Sequence, residues 1–128
     1  MKLNLGSGGK PLEGYINVDR NPRAPGVNKV WDLDVLPWPF EDGSADEVVM
    51  DQCLEHLSDH NAAMREVHRV LKPGGSAKIS VPHFTWQLAY QDPTHKHFYG
   101  YNTFSYYAGE CGYFDFRFSS FQAGRRSR

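Results

Sequence analysis

The sequence predicts a single α/β domain built on an open, mainly parallel sheet. Three observations point there. Short apolar segments recur through the first two thirds of the 128 residues, and several of them stop at an aspartate. One strongly periodic helix separates the last two of these segments, and glycines follow the first. In an open sheet of this kind ligands bind beyond the carboxyl ends of the strands, where those glycines and aspartates fall.

The elements follow in order. Leu3–Leu5 and Tyr15–Val18 read as short strands, the first ending at glycines and the second at Asp19. Asn21 to Gly26 is a turn cluster, and Val27–Trp31 reads as a third strand ending at Asp32. The stretch Leu36-Pro37-Trp38-Pro39-Phe40 is expected to be a loop, because each proline removes a backbone donor. Glu47–Met50 is a buried strand stopping at Asp51. Ser58 or Asp59 can cap the helix that follows, Met64, Val67, Val70 and Leu71 recur at helical spacing, and Lys72-Pro73-Gly74-Gly75 is expected to end it. Ala77–Val81 is the next strand, broken by Pro82. Fourteen of the eighteen aromatic residues lie beyond Pro82, so the last third needs flat apolar surface, either as a late core or as a pocket wall. Phe114, Phe116 and Phe118 alternate with polar residues and predict a final strand with one apolar face. The domain is expected over 1–121, with a solvated, disordered basic tail at 122–128.

Composition narrows the partners. A net charge of −1 gives no field to steer the chain toward nucleic acid or an anionic membrane, so a small-molecule ligand is expected. Cys53 and Cys111 lack CxxC spacing and read as reduced core thiols. With no apolar run of membrane-spanning length and glycines where a signal peptide would be apolar, a cytoplasmic location is expected.

The glycine turn defines the ligand. Only six residues separate Gly8 from Tyr15, too few for the crossover helix whose N-terminus holds a dinucleotide pyrophosphate. The stretch "GSGGKP" also lacks the Lys-Ser or Lys-Thr of a phosphate-binding loop. What remains is a turn that lets backbone approach a ligand closely, and Asp19, placed to accept from two ribose hydroxyls. S-adenosylmethionine carries an adenosine and no phosphate, and so meets both conditions.

With "LNLGSG" close to "GYINVD", then "WDLDVLPWPFEDGSADEVVMDQCLEHL", "EVHRVLKPGG", "SVPHF" and "DPTHKHF", the chain resembles the class I S-adenosylmethionine-dependent methyltransferases of the short-crossover type, across roughly residues 3 to 105. The resemblance implies a Rossmann-like sheet with helices on both faces, here reduced at the N-terminus and in the C-terminal hairpin. It also implies that Gly6, Ser7 and Gly8 line the methionine moiety with their amides near its carboxylate, and that Asp19 holds the ribose. Asp32, or Asp34 two positions on, would accept from the adenine amino group, and the Leu33 amide would donate to a ring nitrogen. Asp51 and Gln52 would lie beneath the cofactor and near the transferred methyl group, while Glu55 and His56 would either orient the loop under the fourth strand or set His56 near the cofactor's ribose or sulfur. Asn4 and Arg20 complete the implied cofactor set.

Methyl transfer from a sulfonium asks mainly for orientation and exclusion of water. If the acceptor is a hydroxyl or amine, His83, Asp92 and His95 are the candidate catalytic groups. His95 in "DPTH" reads first as a structural hydrogen-bonding residue of the loop, with a catalytic or acceptor-binding role as the alternative. His83, Asp92, His95 and His97 are of zinc- or iron-binding type, but their spacing matches no signature and no metal is assigned. The chain starts almost at its first strand and ends before a closing hairpin, so an open acceptor pocket and an exposed edge are expected, with self-association through the Phe114–Phe121 strand. Two functional readings follow: a methyltransferase acting on a small molecule, or a non-catalytic cofactor-binding module on a reduced methyltransferase fold. A domain binding NAD is disfavoured by the missing phosphate helix.

Overall fold

The computed structural model describes residues 1–85, 87–100, 102–108 and 114–124. Five parallel strands form one open sheet: β1 (Lys2–Leu5), β2 (Ile16–Asp19), β3 (Lys29–Val30), β4 (Ala45–Asp51) and β5 (Leu71–Ser80), in the order β3-β2-β1-β4-β5. The expected α/β, Rossmann-like class is the one observed. Helix α1 (His60–Val70) links β4 to β5, and a single turn, α2 (Leu88–Gln91), follows β5. The β1–β2, β2–β3 and β3–β4 connections are loops.

Alternation along the strands sorts the two faces. Leu3, Leu5, Val18, Val48 and Met50 are fully buried and meet Met64, Val67 and Val70 of α1, the apolar stripe read from the sequence. Asp59 caps α1 by accepting from the Ala62 amide at 3.0 Å. On the other face Asn4 pairs with Asn17 on one side and Val49 on the other, and polar contacts run alongside: Tyr15 donates to Glu47 at 2.8 Å and Lys78 reaches Glu47 at 3.2 Å.

Three expectations are corrected. The third strand is only Lys29–Val30, because the chain turns at Asp32, whose side chain accepts from the Asp34 amide at 3.0 Å. The Lys72-Pro73-Gly74-Gly75 run does not separate helix from strand. Strand β5 begins at Leu71, opposite Ala45, and the next pairing is Ser76 with Glu47, so these four residues form a bulge within the strand. Gly75 is required there, since a Cβ would stand 2.9 Å from the Lys72 carbonyl oxygen and 3.0 Å from that of Asp46. Phe114 to Phe118 do not form a strand among the described residues, where the segment's β-pairing is an isolated bridge, Phe118 to Ala108. Its apolar face is nonetheless real: Phe116 is buried beneath the Arg65 guanidinium, and Phe114 and Phe118 pack on the core. The edge strand invoked for self-association is therefore not formed there. Cys53 is a free thiol; Cys111 and residues 125–128 of the basic tail lie outside the described residues. Among the described residues, no helix is long and apolar enough to cross a membrane.

The proline-rich loop is held by α1. Glu66, almost fully buried, accepts from the Trp38 amide at 2.7 Å and from Arg69 at 2.7 and 3.0 Å. Arg69 also donates to the carbonyls of Trp38 and Phe40 and to Asp42. Burial opposes the Glu66 charge, but the hydrogen bonds from Arg69 and Trp38 outweigh it and hold the carboxyl below its usual range. Arg69→Ala would leave that carboxylate buried with one donor. A loss of about 2–3 kcal/mol in urea unfolding at neutral pH is expected, toward the low end because Arg69 is a quarter exposed. A depressed carboxyl stabilises the fold above its unfolded pKa and stops doing so as pH falls through the folded value. The gap between wild type and Arg69→Ala should accordingly narrow in acid.

Candidate functional site

The site is built where the strands end. β1 is central, and β2 and β4 flank it, so their carboxyl ends converge at the point where strand order reverses. A cavity of about 530 Å³ opens there, lined by Gly6 after β1, Asp19 and Arg20 at the end of β2, Trp31 to Asp34 after β3, and Gln52 and Cys53 after β4. His56, Leu57, Thr94 and Lys96 complete the wall. That volume suits a nucleoside-sized ligand.

Local backbone explains how these side chains reach it. Gln52 takes a left-handed conformation, φ 54°, while its amide donates to the Ser80 carbonyl at 2.8 Å, so the chain turns sharply at the end of β4. Cys53 then lies directly under the glycine turn. Gly6 has φ 71°, and a Cβ there would stand 2.5 Å from the Cys53 sulfur. Only glycine satisfies both the angle and the contact. Burial pushes the Cys53 thiol up to about 12, helped by the carboxylates of Glu55, Asp19 and Asp34, so it is a neutral wall group and not a nucleophile.

The predicted cofactor residues divide. Gly6, Asp19, Arg20, Asp32, Leu33, Asp34, Gln52 and His56 share the cavity wall. Asn4, Ser7, Gly8 and Asp51 lie outside it. The Asn4 amide is spent on the Lys10 carbonyl and Asn17, and Asp51 faces Lys10 at 3.7 Å. The glycine-turn amides, expected near a carboxylate, bond within the chain: Gly6 and Ser7 both donate to the Val18 carbonyl, at 2.8 and 2.9 Å, and Gly8 donates to Asp19 at 3.0 Å. Without a helix in the β1–β2 link, these donors are used to tie the turn to β2. Asp34 is similarly engaged, accepting from the Ser58 amide and hydroxyl.

None of the predicted catalytic residues lines the cavity. His83 contacts Thr85 at 2.6 Å and lies beside Phe84. Asp92 accepts from the Thr94 amide and hydroxyl, which hold the carboxyl below its usual range. His95 is nearly buried, 3.5 Å from Asp92 and 3.9 Å from Glu55. The four-residue set of possible metal ligands is split, because His97 meets the Leu57 carbonyl at 2.6 Å and His83 is elsewhere. Sequence reasoning missed Trp31, Cys53, Leu57, Thr94 and Lys96 as wall residues. The signal was present in the adjacency of Cys53 to "LEHL" and in the "DPTHK" motif, whose Lys96 amide donates to the Glu55 carbonyl at 2.7 Å.

A profile described as a methyltransferase domain matches residues 16–79, from the start of β2 into β5. The chain belongs to the methyltransferase domain family. Within this family the demethylmenaquinone methyltransferase of Staphylococcus epidermidis is 45% identical over 42 residues, which are 33% of this chain and 17% of that protein. The 2-phytyl-1,4-naphtoquinone methyltransferase of Nostoc punctiforme is 42% identical over 48 residues, 38% of this chain and 21% of that protein. The chain thus matches about a fifth of the length of these curated relatives. As a methyltransferase-family domain it is implied to use S-adenosylmethionine as donor, and the cavity can be tested against that group. Two strand-end carboxylates, Asp19 and Asp32, face one cavity with apolar walls at Leu33, Trp31 and Leu57, and the turn amides are not free to cradle phosphate. That donor set fits an adenosyl group and not a pyrophosphate.

Gly6→Ala should lower stability by about 2 kcal/mol and close the cavity toward any adenosyl ligand, as read by thermal unfolding and calorimetry. Adding Cys53→Ala relieves the contact but not the φ angle, so the double variant should recover only part of the loss.

Proposed function

We propose that this domain binds S-adenosylmethionine in the strand-end cavity and transfers its methyl group to a small-molecule acceptor by in-line displacement, in the cytoplasm. The observation that carries this reading is the presence of Gly6, Asp19 and Asp32, from the ends of three neighbouring strands, on one cavity. When bound, the cofactor supplies a methyl group on a sulfonium. The protein orients it and excludes water.

In this reading Asp19 accepts from ribose hydroxyls. Each of its oxygens already takes one amide, from Gly8 and Asn21, and a carboxylate oxygen has a second lone pair to offer. Those amides also fix the carboxylate in place, so it is oriented before a ligand arrives. Asp32 takes the adenine amino group, and Trp31, Leu33 and Leu57 give the apolar surface a base needs. With the turn amides engaged, Arg20 and Lys96 are the cations on the wall that can meet the methionine carboxylate. No general base is required of the cavity, in keeping with the position of His83, Asp92 and His95 outside it.

The acceptor is proposed to be flat and apolar. Tyr90 and Phe98 stack at 4.6 Å with both rings at least half exposed, and Phe84 is half exposed as well. The two relatives are named for quinone-type substrates, which have that shape.

Calorimetry with S-adenosylmethionine, its demethylated product and NAD tests the reading. Both adenosyl ligands should bind and NAD should not, and Asp19→Ala should weaken adenosyl binding at least ~10-fold through loss of charge-assisted hydrogen bonds. If the folded protein binds neither adenosyl ligand, the reading fails.

A further inference from the structure

Behind the cavity wall, two motifs far apart in sequence meet. The segment Leu54–His56 forms a 3-10 turn, and residues 92–97 lie against it. One ligand-type atom from each of Glu55, His56 and His95 lies within 4.8 Å of the others. Glu55 is completely buried, and neither of its carboxylate oxygens has a hydrogen-bond partner. An uncompensated carboxylate at such depth is costly, and it faces a histidine ring nitrogen instead of a donor.

Hydrogen bonding fixes which nitrogen that is. His95 Nδ1 contacts the Ala89 carbonyl at 3.1 Å, and a carbonyl only accepts, so Nδ1 carries a proton and in the neutral ring, the form that ligates a metal, Nε2 presents a lone pair. The Thr94 hydroxyl donates to Asp92 at 2.6 Å, so its oxygen accepts from His56 Nδ1 at 2.9 Å, and His56 is set in the same tautomer. Both rings thus have the arrangement common to metal-ligating histidines, one nitrogen anchored by its N–H and the other free. His95 Nε2 lies 3.9 Å from Glu55 Oε2 and 3.5 Å from Asp92 Oδ2.

Acceptor faces acceptor here, and the distances discriminate between the cations able to join them. A proton shared between these atoms would bring them to a hydrogen-bond separation of about 2.7–3.2 Å. Two ligands of one tetrahedral ion, each about 2.0–2.1 Å from it, stand roughly 3.3 Å apart. The 3.9 Å between Glu55 and His95 is too long for a shared proton, and with all three ligand atoms within 4.8 Å of one another the set needs only a small contraction to close around an ion.

We propose that Glu55, His56 and His95 bind one divalent transition-metal ion, with Asp92 beside them and Thr94 orienting His56. Two histidines and a carboxylate suit zinc or ferrous iron. The site borders the cavity, because His56 and Thr94 belong to both. It does not depend on what the cavity holds.

The test is calorimetric titration of the full chain, freed of metal, with zinc chloride, together with the absorption spectrum of the cobalt-substituted protein. One zinc per chain is expected, with a tetrahedral cobalt spectrum. His95→Gln and Glu55→Gln should each weaken binding at least ~10-fold, and Thr94→Ala should do so by about 10–100-fold, the range for losing a group that orients a ligand. His83→Gln should leave affinity unchanged. Circular dichroism checks folding, and His56→Gln replaces any variant that does not fold. Absence of binding by the folded wild type, or equal affinity in His95→Gln, overturns the proposal.

Discussion

Asn17 ties together a β1–β2 link that is too short for a crossover helix. Its side chain accepts from Asn4 and from the Leu12 amide, and donates to the Leu12 carbonyl and to Asn28. Its own amide meets Asn28 as well, and its carbonyl accepts from the Asn28 amide. One buried residue therefore ties β1, the β1–β2 link and the approach to β3 together. A buried amide earns its place only when fully satisfied, and this one is. The positions of Gly6, Asp19 and Asp32 follow, because each stands at the end of a strand that this network aligns.

The consequence for ligand choice is direct. A helix in the link would have aimed free amides at the cavity. Its replacement by a polar loop sends the turn amides to Val18 and Asp19 instead. The cavity is left with the Asp19 and Asp32 carboxylates at its strand ends, a neutral thiol beneath the turn and the Arg20 and Lys96 cations on its wall, a surface for hydroxyl, amino and carboxylate groups.

Much of this was readable because it is local. Strands that stop at aspartates, a periodic helix with its cap, and a link too short for a helix are all patterns within a few residues. What was missed depends on contacts across the chain. Lys72-Pro73-Gly74-Gly75 carries every mark of a helix stop, and only pairing with Ala45 and Glu47 shows it to be a bulge. Phe114, Phe116 and Phe118 alternate like a strand, but packing on α1 and its neighbours satisfies that face without a ladder. Glu55 looked like part of a loop signature, and nothing in its neighbourhood announces that it is wholly buried opposite His95. The turn amides were assigned to a ligand on the strength of the motif, whereas their partners are set by the tertiary route of the chain.

The meeting of "LEHL" with "DPTHKH" also bears on how the domain forms. Lys96 bonds to Glu55, and His97 to Leu57, across some forty positions of chain that include all of α1 and β5. Contacts of such separation are entropically costly until the intervening elements are in place. The sheet core can assemble from β1, β2 and β4 with α1, while this wall must wait for β5 to return the chain to the same end. The wall that closes the cavity thus rests on contacts whose entropic cost falls only once α1 and β5 are in place, so its integrity is tied to the whole of that unit and not to any local turn.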